Sequence, residues 1–199
     1  MKINFNCNTP FGTKYKFVSK SELEKEIEKR PDAIEVWYSG AAYDISTGGE
    51  AIYTKKIFNC TAYGTIVHNY KEVYLEHANH YSKTARLTDY RQEGDVVNAF
   101  LIGGKTKYLS KYFKAALETY QRNKVPTTYF WGQDDGYTNG SGVLYDPKTD
   151  VAYISSGERE IKDEKDLKSA YRFIDVADCD EVIIKERKIN PESVKNPLN

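Results

Sequence analysis

Short apolar runs closed by turn residues recur along almost the whole chain, and within them apolar side chains fall at every second position. Period two is the spacing of a half-buried strand, so a chain like this has to fold around β-sheet. Near the start Ile3, Phe5 and Cys7 alternate with Asn4 and Asn6, and Lys14 to Val18 makes a second short strand. Ala33 to Tyr38, Ala42 to Ser46, Ala51 to Lys55 and Ile57 to Val67 continue the series. Thr47-Gly48-Gly49-Glu50 between two of them reads as a hairpin connection. Val96 to Ile102, Thr127 to Trp131 and Glu181 to Glu186 are further strands, and Val143 to Asp146 pairs with Val151 to Ser155 around Pro147-Lys148-Thr149.

Helical spacing is clearest over Lys107 to Asn123. There Leu109, Tyr112, Phe113, Ala116, Leu117 and Tyr120 recur at intervals of three and four, and Val125-Pro126 stops the run. Ser19 or Ser21 caps a charged helix over Glu22 to Arg30, with Leu23 and Ile27 one turn apart and Pro31 ending it. The pattern also predicts helices over Tyr70 to Tyr81 and Glu164 to Val176. These elements describe an α+β fold, with a mixed or mostly antiparallel sheet and three to four helices. No linker or shift of composition divides the chain, which places residues 1–189 in a single domain and leaves 190–199, polar and with two prolines, as a C-terminal tail.

The 29 basic and 29 acidic residues cancel, which argues against a protein whose main role is to coat nucleic acid or anionic lipid. The longest apolar run, Val96 to Ile102, is interrupted by Asn98 and is far below membrane-spanning length. Cys7, Cys60 and Cys179 are too few and too scattered for a disulfide framework, and MKINFNCNTPFG has no apolar signal core, so the expected location is the cytoplasm. Seventeen tyrosines against two tryptophans mark the composition. Tyrosine suits half-buried strands and contact surfaces, because one end of its ring can be dry while the hydroxyl stays wet.

Several constellations bear on chemistry. His68, His77 and His80 fall within thirteen residues; on a helix His77 and His80 would share a face with Glu76 and Glu72, a candidate metal set. The spacing of a closed ligand set is missing, and no metal or other cofactor is expected. Gly104-Lys105-Thr106 lies between a strand and a helix, as the end of a phosphate loop does, but Ala99 stands where the pattern needs its first glycine. Ser46-Thr47, Ser155-Ser156 and Glu158-Arg159-Glu160 together resemble the serine and E-x-E elements of ADP-ribosyltransferases. That resemblance implies a nucleotide-handling transferase whose last glutamate, Glu160, would assist attack on the nicotinamide ribose. The spacing is much longer than in that family, and no strand arginine precedes Ser46.

Two surfaces are candidates for binding. Lys107, Lys111 and Lys114 lie opposite the apolar stripe of the long helix, where a nucleic acid would find a modest basic face. The glycine-rich stretch Gly132 to Gly142 follows Trp131 and carries Asp134, Asp135 and Tyr137, an aromatic and acidic set on a long connection. With no catalytic set defined, the sequence points to a non-enzymatic intracellular binding protein acting through a tyrosine-rich surface. Its partner would be another protein or a small ligand, and a phage or mobile-element inhibitor or regulator suits the size. The alternatives are a metal-dependent hydrolase using the histidines, the transferase just described, and a weak nucleic-acid binder.

Overall fold

The computed structural model describes residues 12–37, 42–58, 60–78, 95–103, 106–132, 141–157, 159–176 and 179–195, with the backbone alone for 42 and 106–112. In chain order the elements begin β1 (Thr13–Val18), α1 (Lys20–Glu28), β2 (Ile34–Glu35), β3 (Ala42–Ser46), β4 (Ile52–Ile57), β5 (Thr61–Val67) and β6 (Glu72–Ala78). They continue β7 (Val97–Gly103), α2 (Thr106–Arg122), β8 (Thr127–Gly132), β9 (Ser141–Asp146), β10 (Val151–Ser155), α3 (Glu164–Ala170), β11 (Tyr171–Val176), β12 (Cys179–Ile184), β13 (Arg187–Ile189) and α4 (Pro191–Val194). Local rules place several ends. Ser19 caps α1 in a full capping box: its hydroxyl accepts from Glu22 N, and the Glu22 carboxylate accepts from Ser19 N at 2.7 Å. Lys185 and Glu186 both take positive φ, the twist that a two-residue turn between β12 and β13 demands.

The strands form two mixed sheets. One has seven strands in the order β13-β12-β1-β10-β9-β4-β2, and the other six in the order β11-β8-β7-β5-β6-β3. Their inner faces pack on one another. Tyr15, Phe17, Ile52, Tyr145 and Ile154 of the first meet Ile66, Leu75, Phe100, Ile102 and Phe130 of the second in one apolar cluster. Helix α2 covers the outer face of the six-stranded sheet, where Phe113, Ala116, Leu117 and Tyr120 pack on Tyr63, Leu101, Tyr129 and Trp131. Helix α1 covers the outer face of the seven-stranded sheet through Leu23 against Tyr53 and Leu144. The result is a four-layer α+β domain, helix on sheet on sheet on helix. Close approach at the centre depends on Gly64: a Cβ there would lie 2.1 Å from the Phe100 ring across the β5–β7 pair.

The two lateral sides of this sandwich differ. At β11 and β12 the short helices α3 and α4 close the gap, burying Leu167, Ala170 and Val194. The polar tail expected from Asn190 therefore begins with a docked helical turn, capped by the Asn190 side chain on Glu192 N. On the opposite side, where β2 and β3 touch, no helix of the described residues covers the edges.

Three expected elements are corrected. Tyr70 to Tyr81 is not a helix: residues 72–78 are strand β6, paired along its length with β5 and β3. Both faces of β6 are covered, so the polarity contrast that marks a half-buried strand is absent, and Val73 and His77 mimic helical spacing. Thr47 to Glu50 does not close a hairpin, because β3 belongs to the six-stranded sheet and β4 to the other. It is a crossover tightened at Gly49 (φ 81°), with the Glu50 carboxylate accepting from Gly48 N and from the Ser46 hydroxyl. The predicted helix Glu164 to Val176 ends at Ala170. Tyr171, Ile174 and Val176 then supply an edge strand antiparallel to β8.

Candidate functional site

The histidines do not converge. His77 is fully buried between the sheets, its Nδ1 2.7 Å from Thr54 Oγ1. His68 sits in the turn between β5 and β6, at the far end of β6, roughly 17 Å away along the strand from Glu72 to His77. His80 lies outside the described residues, and Glu76 faces away from His77 across the sheet, as neighbours on a strand must. No group of three metal-binding side chains occurs among the described residues.

His68 instead joins a polar network at one mouth of the sandwich. Its Nδ1 is 3.5 Å from Asp150 Oδ2, and its Nε2 is 3.1 Å from Asn98 Oδ1. Asn98 Nδ2 donates to Thr13 Oγ1 at 3.2 Å, the Thr13 hydroxyl donates to Asp150 Oδ1 at 3.0 Å, and the Tyr145 hydroxyl donates to the same oxygen at 2.7 Å. This ring of bonds ties the β5–β6 turn of one sheet to the β9–β10 turn of the other. The Asp150–His68–Asn98 contacts thus bridge the two sheets at this mouth.

The remaining sequence candidates are dispersed. Trp131 is 5% exposed, with its indole stacked 4.8 Å from Phe113 and tilted against Phe173 at 5.2 Å. The expected contact tryptophan is therefore a packing residue beneath α2: as the end of β8 it shares the apolar outer face with Tyr129. Asp134, Asp135 and Tyr137 lie outside the described residues, as do Gly104, Lys105, Glu158 and the side chains of Lys107 and Lys111. Lys114 is exposed on α2. Ser46 and Ser155 stand in different sheets, and the Ser46 hydroxyl donates to Glu50 O at 2.7 Å. Arg159 pairs with Asp166 and Glu160 with Lys185.

Among the described residues tyrosine is chiefly a core residue. Tyr15, Tyr63, Tyr120, Tyr145 and Tyr171 are among the largest fully buried side chains. Burial pushes the phenols of Tyr63, Tyr120, Tyr145 and Tyr171 well above the usual tyrosine range, so they stay neutral at any physiological pH.

The large apolar side chains exposed among the described residues fall in two places: Tyr70 (55%) and Val96 (36%) lie at the β5–β6 turn and the start of β7, and Trp37, Tyr43 and Phe58 lie on or next to β2, β3 and β4. Trp37 is 62% exposed; Tyr43 and Phe58 are each 43% exposed. Trp37 follows β2, Phe58 follows β4, and Tyr43 lies on β3, the edge of the other sheet and a neighbour of β2. Tyr43 rests against Tyr74 at 5.5 Å, whose hydroxyl donates to the buried Glu76 carboxylate at 2.7 Å. Around Trp37, Lys55 Nζ stands 3.7 Å from Glu35 Oε1 and 5.4 Å from the centre of the Tyr53 ring. Burial first, then the Glu35 carboxylate, pushes the Tyr53 phenol up to about 12. Glu35, Val36, Trp37, Lys55 and Lys56 line a hollow of about 200 Å³ here.

The sequence reading passed over Trp37, yet a signal was present. In Ala33 to Tyr38 the apolar Ile34 and Val36 share one face, which leaves Trp37 on the polar face with Glu35. No family model matches the chain, and no curated protein is detectably similar to it in sequence.

Proposed function

We propose that this chain is a non-enzymatic intracellular binding protein, a regulator or inhibitor that engages a partner protein through the open lateral side of its sandwich. The observation that carries the reading is the exposure of Trp37, Tyr43 and Phe58 at that side, in a chain that buries most of its described aromatic side chains. Large aromatics at a surface cost free energy in water and are the residue types that dominate contact energies when a partner covers them. Here they lie beside two sheet edges that no helix of the described residues closes, whereas the other lateral side is shut by α3 and α4.

The test is a triple variant, Trp37→Ser, Tyr43→Ser and Phe58→Ser. Trp37 is 62% exposed and Tyr43 and Phe58 each 43%, so urea unfolding should shift by no more than about 1 kcal/mol, as surface changes do. A partner that co-purifies with the wild-type chain at a fixed stoichiometry should be lost from the variant. A partner that stays on the folded variant with unchanged affinity would overturn this reading.

A further inference from the structure

Three neighbouring strands place one acid among tyrosines on the outer face of the six-stranded sheet. Glu76 of β6 stands opposite Tyr43 of β3 on one side and opposite Tyr63 of β5 on the other. Residues directly opposite in an antiparallel pair share a face, with Cβ atoms about 4.5–5.5 Å apart. Tyr74, two positions earlier on β6, is on the same face, and its ring lies 5.5 Å from that of Tyr43. Tyrosines thus neighbour Glu76 across both adjoining strands and along its own.

The polar groups of this cluster are short of partners. Glu76 is 3% exposed, and its carboxylate accepts one hydrogen bond, on Oε2 from the Tyr74 hydroxyl. No described cation pairs with it. Burial first, then the Glu76 carboxylate, pushes the Tyr63 phenol up, which places the two groups within reach of one another's field. The Tyr63 hydroxyl and the Thr61 hydroxyl near it are both buried and outside hydrogen-bond geometry to any partner among the described residues. A carboxylate held out of water by a single uncharged donor is costly, and that cost falls when a cation is brought against it.

We propose, on the basis of the binding function above, that this cluster receives the ammonium group of a lysine side chain of the partner protein. Glu76 meets the charge, the Tyr63 and Thr61 hydroxyls accept N–H bonds, and the rings of Tyr43 and Tyr74 flank the stem. Tyr43 joins the cluster to the surface: it is 43% exposed on the edge strand β3, on the side where Trp37 and Phe58 also stand. The chemistry of the groups present selects the cation. A divalent metal of the hard kind asks for six or more oxygen ligands, commonly with several carboxylates, and here there is one acid. An ammonium asks for one anion and a few acceptors, and gains from aromatic faces. Arginine's planar fork fits two free carboxylate oxygens side by side; with Oε2 taken by Tyr74, the point charge of lysine is the better match.

Butylammonium, which reproduces the end of a lysine side chain, and its uncharged counterpart butanol test this on the full chain. Butylammonium should raise Tm saturably, by about 3–6 °C at ten times its Kd, and butanol should not. Glu76→Gln keeps an oxygen for the Tyr74 hydroxyl, so it should fold, melt no lower than the wild type and lose that shift. Tyr43→Leu changes an exposed side chain and should weaken butylammonium by about two- to fivefold; should Glu76→Gln not fold, unchanged affinity in Tyr43→Leu overturns the proposal. A co-purifying partner should bind Glu76→Gln about tenfold or more weakly, and acetylating the partner's lysines should release it from the wild-type chain. Equal Tm shifts in wild type and Glu76→Gln, no shift in the wild type, or butylammonium binding with a partner indifferent to acetylation would each overturn the proposal, the last by assigning the site to a free amine. If the aromatic triple variant loses its partner while Glu76→Gln keeps it, the lysine site is wrong and the binding function stands.

Discussion

His77 gives the sharpest test of how the two sheets are joined. It is fully buried on the inner face of β6, and its Nδ1 lies 2.7 Å from Thr54 Oγ1 on β4. The Thr54 hydroxyl donates to Val36 O at 2.8 Å, so it must accept from the ring, which assigns the proton of the neutral imidazole to Nδ1. Burial lowers the pKa from 6.5 to about 4. Between those values the unfolded chain binds a proton that the folded chain refuses. The stability this group contributes is therefore complete above pH 6.5 and falls away as pH drops toward 4. A shift of that size corresponds to about 3 kcal/mol at the acid end. The perturbation is His77→Gln, which keeps an N–H for Thr54 and does not titrate. Urea unfolding of both proteins from pH 7.5 to pH 4 is the assay, because carboxylates elsewhere titrate equally in each and cancel in the difference. The wild type should lose about 3 kcal/mol more than the variant across that range. Parallel curves would show that the imidazole is charged or solvated inside the fold, and would refute the reasoning.

Other outcomes follow from single contacts. Phe113→Ala removes a ring packed between Tyr129 and Trp131 and should cost about 3–5 kcal/mol in chemical unfolding, while Lys114→Glu on the exposed face should leave Tm unchanged. Gly64→Ala sets a methyl into the Phe100 ring and should cost about 1–3 kcal/mol, with a lowered Tm as readout. Lys56→Gly relieves a left-handed conformation and should raise stability by about 1 kcal/mol in urea. With no net charge, the chain should hold single-stranded nucleic acid only at low salt and release it near physiological ionic strength in a filter or anisotropy titration.

Much of the secondary structure could be read from side-chain spacing alone, because spacing states which residues share a face. The stripe of α2, the cap of α1 and the β9–β10 hairpin are local facts, settled within a few residues of chain. What lies opposite a face is not local, and there the sequence was silent. Strand β6 resembled a helix because sheet neighbours bury both of its sides. Gly48-Gly49 looked like a hairpin because a turn does not reveal whether its two strands will pair or part into different sheets. The candidate site shows the same division. Sequence alternation put Trp37 on the polar face with Glu35, and the tertiary structure leaves its indole 62% exposed, because among the described helices α1 packs over β9 and β10 rather than over β2. Trp131 went the other way: it too ends a strand, but α2 lies over it and Phe113 takes its ring. Two tryptophans in similar local sequence thus took opposite roles, since burial is set by which element arrives from elsewhere in the chain to cover a face.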